Sequence, residues 1–194
     1  MDLSIVVPVY NSENILPHFV KAIKDEINFV QSFELILVND CSPDGSWESI
    51  VQLKKEYPFI TGINLIHNFS QHNAIMAGLN EASGKIIVTM DDDLQHNPAD
   101  VKKIYDKLQQ ENFDVCYTKF NNKQHKRWKV WGSRFNDFVA NILIKKPKDL
   151  YLSPFRGITK QVRDEIVKYN GPYPYIDGLI LSTTKKILKI IPST

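Results

Sequence analysis

The sequence is poor in cysteine, with only Cys41 and Cys116 in 194 residues. The two are far apart and neither belongs to a C-x-x-C pair, which argues against a disulfide framework and a zinc site and fits a reducing compartment. Long apolar runs are missing too. No stretch approaches the ~20 residues that a helix needs to cross a bilayer. The opening Met1-Asp2-Leu3-Ser4 has no basic segment and no cleavage site, so no signal peptide is expected. Charge of one sign is not in excess: 24 Lys and Arg against 22 Asp and Glu leave a net charge of +2. That balance points to no strongly acidic or basic partner. Internal repeats, low-complexity tracts and linkers are absent, so the length reads as one domain.

What is present is an alternation. The apolar run Leu3 to Val9 stops at Tyr10-Asn11-Ser12 and reads as a buried strand, with Asn11 or Ser12 available to cap a helix carrying Ile15, Phe19, Ile23 and Ile27. Glu34 to Val38 is a second strand, followed by the polar loop Asn39 to Gly45 and an amphipathic helix with Trp47, Ile50, Val51 and Leu53. Gly62 to Ile66 is a third strand, and residues 72–82 a helix closed by Gly84 in a C-terminal cap. Ile86 to Met90 is a fourth strand, Pro98 to Gln110 a helix with Pro at its start, and Val115 to Lys119 a fifth strand. Strands alternating with helices predict an α/β protein with a mostly parallel central sheet and helices on both faces. Near-continuous apolar runs such as Ile5-Val6-Val7 and Ile86-Ile87-Val88 suit strands buried on both sides.

The pattern changes after about residue 120. Lys123 to Arg134 is basic and contains Trp128 and Trp131; a longer amphipathic helix with Phe135, Phe138, Val139, Ile142 and Leu143 follows. The segment 150–181 is rich in aromatics and proline. Residues 1–120 and 121–194 are expected to form two halves of one domain.

The chemistry concentrates at Asp91-Asp92-Asp93, after the fourth strand. In open α/β sheets, ligands bind beyond the carboxyl ends of the strands. Adjacent carboxylates repel one another unless a cation or another partner offsets them. A hard divalent ion, Mg²⁺ or Mn²⁺, suits such oxygens and typically adds waters and phosphates to them. In an extended segment Asp91 and Asp93 point one way and Asp92 the other. A D-x-D alone is a weak motif, since a solvated acidic turn has the same residues; its companions give it force.

Three segments supply them: Val6-Val7-Pro8-Val9-Tyr10-Asn11-Ser12-Glu13, Val38-Asn39-Asp40-Cys41-Ser42-Pro43-Asp44-Gly45-Ser46, and Met90-Asp91-Asp92-Asp93-Leu94-Gln95-His96-Asn97-Pro98. In this order and spacing, residues 4–118 resemble the catalytic domain of the inverting family 2 glycosyltransferases of GT-A fold, above all the polyprenyl-phosphate branch with dolichol-phosphate mannosyltransferase and the bacterial undecaprenyl-phosphate sugar transferases. The resemblance implies a nucleotide-sugar site lined by Pro8, Tyr10 and Glu13, with Asp40 accepting from the base and Asp92 beside the donor. It implies Asp91 and Asp93 at the diphosphate and the metal, with Gln95 as a further metal-side contact and Asp93 among the catalytic residues. Each also fits a plainer role: strand-end packing for Pro8 and Tyr10, a helix-dipole charge for Glu13, an Asx turn for Asp40. Two departures stand out: Asn39 where a first acid is frequent, and Cys41 where Gly is frequent, the latter fitting a small buried thiol.

The resemblance implies that residues 1–120 form a nucleotide-sugar-binding half and 121–194 an acceptor-side half of the same GT-A domain, and beyond residue 118 it is looser. Gln71-His72-Asn73-Ala74-Ile75-Met76-Ala77-Gly78 is similar to the third-helix segment of the lipid-carrier transferases, with His72 and Asn73 either near the donor or capping the helix. Lys126, Arg127, Lys129 and Arg134 with the two tryptophans fit an interfacial element at anionic head groups rather than a nucleic-acid surface. Within it, Lys129 and Ser133 match a basic-x3-Ser spacing expected to meet the lipid phosphate, and the alternative is a solvated helix face. Ser153-Pro154-Phe155-Arg156 matches a strand motif whose Arg156 faces that phosphate. Pro154 stands where some relatives carry an acid, which leaves Asp177 as the remaining candidate base, against a turn-forming Asp-Gly. Membrane-anchored members continue into a basic stretch and membrane helices, and this sequence ends at Thr194 before either. The function implied is inverting transfer from a UDP- or GDP-sugar to a polyprenyl phosphate at the cytoplasmic membrane face, in bacterial cell-wall or polysaccharide synthesis. Transfer to a saccharide hydroxyl and a non-catalytic nucleotide-sugar-binding remnant are the alternatives. A sugar nucleotidyltransferase would carry a Gly-rich, Arg-containing loop after the first strand, and an aspartyl phosphotransferase would carry its acids there.

Overall fold

The computed structural model describes residues 1–110, 112–118 and 152–191. Chain order is β1 (Leu3–Val9), α1 (Leu16–Glu26), β2 (Phe33–Asn39), α2 (Ser46–Glu56), β3 (Ile60–Asn64), α3 (Gln71–Glu81), β4 (Ile86–Thr89), α4 (Asp100–Gln110) and β5 (Val115–Thr118). After the basic region come β6 (Arg156–Thr159), α5 (Lys160–Ile166), α6 (Ile176–Thr183) and β7 (Ile187–Ile190). The seven strands form one sheet in the order β3-β2-β1-β4-β6-β5-β7. Strand β6 alone among them runs against its neighbours, antiparallel to both β4 and β5.

Side-chain alternation along the strands feeds a core on each face. On one face Ile5, Val7, Leu35, Leu37 and Val88 pack with Phe19 and Ile23 of α1, Ile50 of α2, and Val101, Ile104 and Leu108 of α4. On the other, Val6, Ile36, Val38, Ile87, Tyr117 and Ile158 meet α3, α5 and α6 through Ile75, Leu79, Val162, Ile166, Ile176 and Ile180. Fully burying each such aliphatic side chain contributes about 1.5–3 kcal/mol, which outweighs weak local preferences. Helix α1 illustrates this: Ser12 does not cap it through its side chain. Its carbonyl accepts from the Ile15 and Leu16 N–H groups at 3.0 Å each, and the helix starts at Leu16 because Leu16, Phe19, Val20 and Ile23 form its buried stripe.

Several boundaries differ from the sequence reading for identifiable reasons. β3 starts at Ile60 rather than Gly62 because its register runs Leu35↔Ile60 to Asn39↔Asn64 beside β2. α4 starts at Asp100 rather than Pro98, since Asn97 Oδ1 accepts the Ala99 N–H at 3.0 Å and forms a preceding Asx turn. Gly84 is not a left-handed cap: α3 ends at Ala82 in extended backbone, and no glycine among the described residues has positive φ. Gly84 is instead required by close approach, because a Cβ there would lie 2.6 Å from the Ser4 backbone nitrogen. The Asp177-Gly178 pair is not a turn but the first turn of α6. The helix expected to carry Phe135 to Leu143 lies outside the described residues.

Candidate active site

Strands β1 and β4 are parallel neighbours, with Thr89 at the end of β4 beside Val6 and β1 running on to Val9. A cavity of about 380 Å³ opens at their carboxyl ends. β1 and its loop contribute Pro8, Val9 and Tyr10; the end of β2 contributes Asp40; the approach to α3 contributes Asn68, Ser70 and Gln71; and the loop after β4 contributes Asp91, Asp92 and Asp93.

The loops around it hold strained backbone. Asn11 (φ 55°), Cys41 (φ 51°), Ser70 (φ 79°) and Leu94 (φ 56°) are the non-glycine residues with positive φ among those described. One lies in the loop after each of β1, β2 and β4, and one before α3. Such conformations cost of order 1–3 kcal/mol each and persist where surrounding contacts over-determine them. Those contacts are visible. Asp44 accepts from the Glu13 N–H and the Ser46 N–H at 3.1 Å each and from the Ser42 and Ser46 hydroxyls at 2.6 Å each. Glu13 returns the contact by accepting the Gly45 N–H at 3.1 Å. Although burial opposes it, this set of donors holds the Asp44 carboxyl down at about 2. Glu13 thus clasps the β2–α2 loop and is not among the residues lining the cavity. Cys41 is exposed, not the small buried thiol expected, and its positive φ explains why glycine suits the position. Asn39 Nδ2 donates to Asn64 Oδ1 at 2.7 Å, a bond that a carboxylate could not donate.

Asp40 is buried and accepts the Phe69 N–H at 2.7 Å, so one oxygen locks the 67–70 loop while the residue lines the cavity. Burial, then the neighbouring Asp93 and Asp92, push the Asp91 carboxyl up to about 6, against the pull of Arg156 and of Gln71. Gln71 Nε2 donates to Asp91 Oδ1 at 2.6 Å. Asp92 does not turn away as strict alternation predicted: the chain leaves the extended conformation after β4, and Asp92 lines the same cavity. Burial raises its carboxyl too, the Ser12 hydroxyl counteracts this, and one buried Asp92 oxygen has no hydrogen-bond partner. Asp93 is exposed and accepts the Gln95 N–H at 3.0 Å, a turn that Leu94 completes. The Gln95 side chain does not line the cavity.

Next to the acids lies a buried polar row. Arg156 of β6 is in register with Thr89 of β4 on one side and Tyr117 of β5 on the other. Arg156 is 2% exposed and forms an ion pair through Nη1 with Asp177 Oδ1. Tyr117 donates its hydroxyl to the same oxygen at 2.8 Å. Burial works against the Arg156 charge, and Asp177 and Tyr117 more than offset it, so the guanidinium is held above its ordinary value. Burial raises the Tyr117 hydroxyl well above its usual range. His72, edge-on to Tyr175 at 5.6 Å between ring centres, is lowered by burial and then by Arg156. Asn73 turns back to the Phe69 carbonyl at 2.7 Å. Lys129 and Ser133 lie outside the described residues. Gln71, Ser70 and Asn68 are site residues that the sequence reading passed over; the only signal was their adjacency to His72 in the third-helix segment.

The mostly parallel sheet with one antiparallel strand, and the acid-lined cavity beyond β1 and β4, belong to a GT-A fold, which its solved structural neighbours share. Glycosyl transferase family 2 matches residues 4–169, and the chain belongs to that family. The undecaprenyl-phosphate 4-deoxy-4-formamido-L-arabinose transferase of Pseudomonas savastanoi pv. phaseolicola is 31% identical over 168 residues, covering 85% of this chain and 48% of that protein. The chain therefore spans about half the length of the curated relatives it matches. Among solved structures, S. aureus TarS 1-349 in complex with UDP superposes with a TM-score of 0.71 at 17% identity, over 98% of this chain and 58% of that one. Glucosyl-3-phosphoglycerate synthase from Mycobacterium tuberculosis, in complex with Mn²⁺, UDP-glucose and phosphoglyceric acid, does so at 0.72 and 15% identity, over 98% and 69%.

Proposed function

We propose that this chain is the catalytic portion of an inverting glycosyltransferase that moves a sugar from a UDP- or GDP-sugar to a polyprenyl phosphate at the cytoplasmic face of a membrane. The observation that carries this reading is the placement of Asp91, Asp92 and Asp93 in one cavity with Asp40 and Tyr10 at the β1/β4 edge. The names of the curated relatives, undecaprenyl-phosphate sugar transferases, support the acceptor. Residues 1–118 supply the donor side, and the segment after 120, with Lys129 and Ser133, supplies the acceptor side.

The acids fit a divalent cation. Asp91 and Asp92 are desolvated and raised, and one Asp92 oxygen is buried without a partner. Among the described residues no three acidic or imidazole groups already converge as a closed cage; Mg²⁺ and Mn²⁺ sites of this kind take one or two carboxylates and complete the shell with substrate phosphates and water. Asp91 and Asp93, with Asp92 beside them, would hold the ion. When bound, it stabilises negative charge on the departing nucleoside diphosphate.

The chain's own groups do the rest. Asp40 and Tyr10 position the nucleoside, and Gln71 holds Asp91 in place. Arg156 adds fixed positive charge in a dry setting, where electrostatic stabilisation is strongest. A phosphate acceptor is already ionised at neutral pH and needs no general base, whereas a sugar hydroxyl needs one. Asp177 is engaged with Arg156 and Tyr117, which favours the phosphate acceptor over the saccharide one. Among the described residues no helix is long and apolar enough to cross a membrane. Membrane contact is assigned to the basic, Trp-containing stretch Lys126 to Arg134.

The test is transfer from a panel of UDP- and GDP-sugars, with Mn²⁺, to undecaprenyl phosphate in vesicles or to oligosaccharides. Product on the lipid phosphate is expected. Transfer only to saccharide hydroxyls would defeat the acceptor assignment, and failure to release nucleotide from any donor by folded protein would favour a binding remnant.

A further inference from the structure

The geometry points to Asp177 as a positioning residue that acts through Arg156: it fixes the guanidinium on the acceptor side of the site and is not a proton acceptor for substrate. The inference rests on the acceptor reading above and concerns how this chain builds that subsite.

Arg156 sits on the one antiparallel strand, flanked in register by Thr89 and Tyr117. Asp91 follows Thr89 by two residues, so the strand paired with Arg156 on this side is the one that leads into the acid cluster. Left unpaired, the Arg156 guanidinium would be an isolated buried charge, which is costly. Asp177 prevents this. It enters from the first turn of α6, takes Nη1, and is itself pinned by the Tyr117 hydroxyl on the same oxygen. Both donors converge on Asp177 Oδ1, so that oxygen is occupied by the chain's own groups rather than offered to substrate. The pairing is also incomplete in an informative way: Arg156 Nε is buried and has no partner among the described residues. Asp177 therefore clamps one edge of the guanidinium and leaves a donor on a side chain that is 2% exposed. Such a donor fits a phosphate monoester.

The test measures binding of farnesyl phosphate to the full chain by calorimetry for wild type, Asp177→Asn, Asp177→Glu, Tyr117→Phe and Arg156→Gln, with UDP·Mn²⁺ binding measured in parallel. Charge alone predicts that Asp177→Asn, which removes a negative group, tightens phosphate binding. Positioning predicts the opposite: weakening by about 10-fold, the loss of roughly one charge-assisted hydrogen bond. It also predicts partial rescue by Asp177→Glu, a smaller loss in Tyr117→Phe, and an Asp177→Asn/Arg156→Gln double variant no weaker than Arg156→Gln. In Asp177→Glu and Tyr117→Phe, UDP·Mn²⁺ affinity should fall less than farnesyl phosphate affinity, a split that general unfolding would not give. Tighter farnesyl phosphate binding by Asp177→Asn, or additive losses in the double variant, would overturn the assignment. If Asp177→Asn fails to fold, unchanged binding by Tyr117→Phe and Asp177→Glu would overturn it as well. Wild type that ignores farnesyl phosphate would overturn the acceptor reading together with this one, whereas wild type that binds with every variant unchanged would overturn this one alone.

Discussion

Gln71 Nε2 lies 2.6 Å from Asp91 Oδ1 and ties the first turn of α3 to the end of β4. The bond opposes the burial and like-charge repulsion that raise Asp91. Gln71→Leu should therefore raise Asp91 further and weaken Mn²⁺-dependent UDP binding by about 3- to 10-fold, the net worth of one ordinary hydrogen bond. Gln71→Glu, a fourth carboxylate beside three, should weaken it more at pH 7. Calorimetry of UDP with and without Mn²⁺ checks both.

The Asp91 carboxyl sits at about 6. Metal binding needs its ionised form, so Mn²⁺-dependent UDP affinity should fall as pH drops below about 6. Stability runs the other way. With its folded value above the unfolded 3.8, Asp91 stabilises the fold when protonated, and that contribution is lost as pH rises from about 4 through about 6. The metal-free melting temperature of Asp91→Asn should lack that part of the decline, as a pH series of thermal melts will show.

Cys41 holds φ at 51° while exposed. A left-handed conformation costs a non-glycine residue roughly 1–2 kcal/mol, and glycine gives back roughly 0.5–1 kcal/mol in unfolded-state entropy. Cys41→Gly should thus be neutral to stabilising by up to about 1 kcal/mol, whereas the β-branched Cys41→Val should destabilise by more than about 1 kcal/mol. Denaturant titration distinguishes them.

Gly157 lies beneath α4, where a Cβ would collide with Ile104 and crowd Leu108. Gly157→Ala should cost about 1–3 kcal/mol by overpacking. Because Gly157 adjoins Arg156, it should weaken farnesyl phosphate binding more than UDP·Mn²⁺ binding. Thermal melts and calorimetry on one preparation read both effects.

The β1 to β4 part of the sheet was legible because its signals are local. An apolar run followed by Pro8-Val9-Tyr10, a second by Asn39-Asp40, and a third by Asp91-Asp92-Asp93 report strands whose loops share one sheet edge, whatever the later residues do. Where local rules misled, tertiary contact had overruled them. Gly84 serves the Ser4 backbone rather than a helix cap, and Asp92 turns into the cavity because the chain leaves the extended conformation after β4. Glu13 bridges two loops by reaching Gly45, 32 residues away.

The sequence by itself determined that this is an α/β chain with acids at the carboxyl edge of its fourth strand, since hydrophobic periodicity and strand-end chemistry are properties of short segments. Only the tertiary structure decided that Arg156 and Asp177 pair. Their pairing joins residues 21 apart with Tyr117, 60 residues from Asp177, and it exists because β6 inserts antiparallel between β4 and β5 while α6 closes over that face. No local pattern encodes that insertion. It is selected by the burial of a whole sheet face, and the ion pair is stable only inside it.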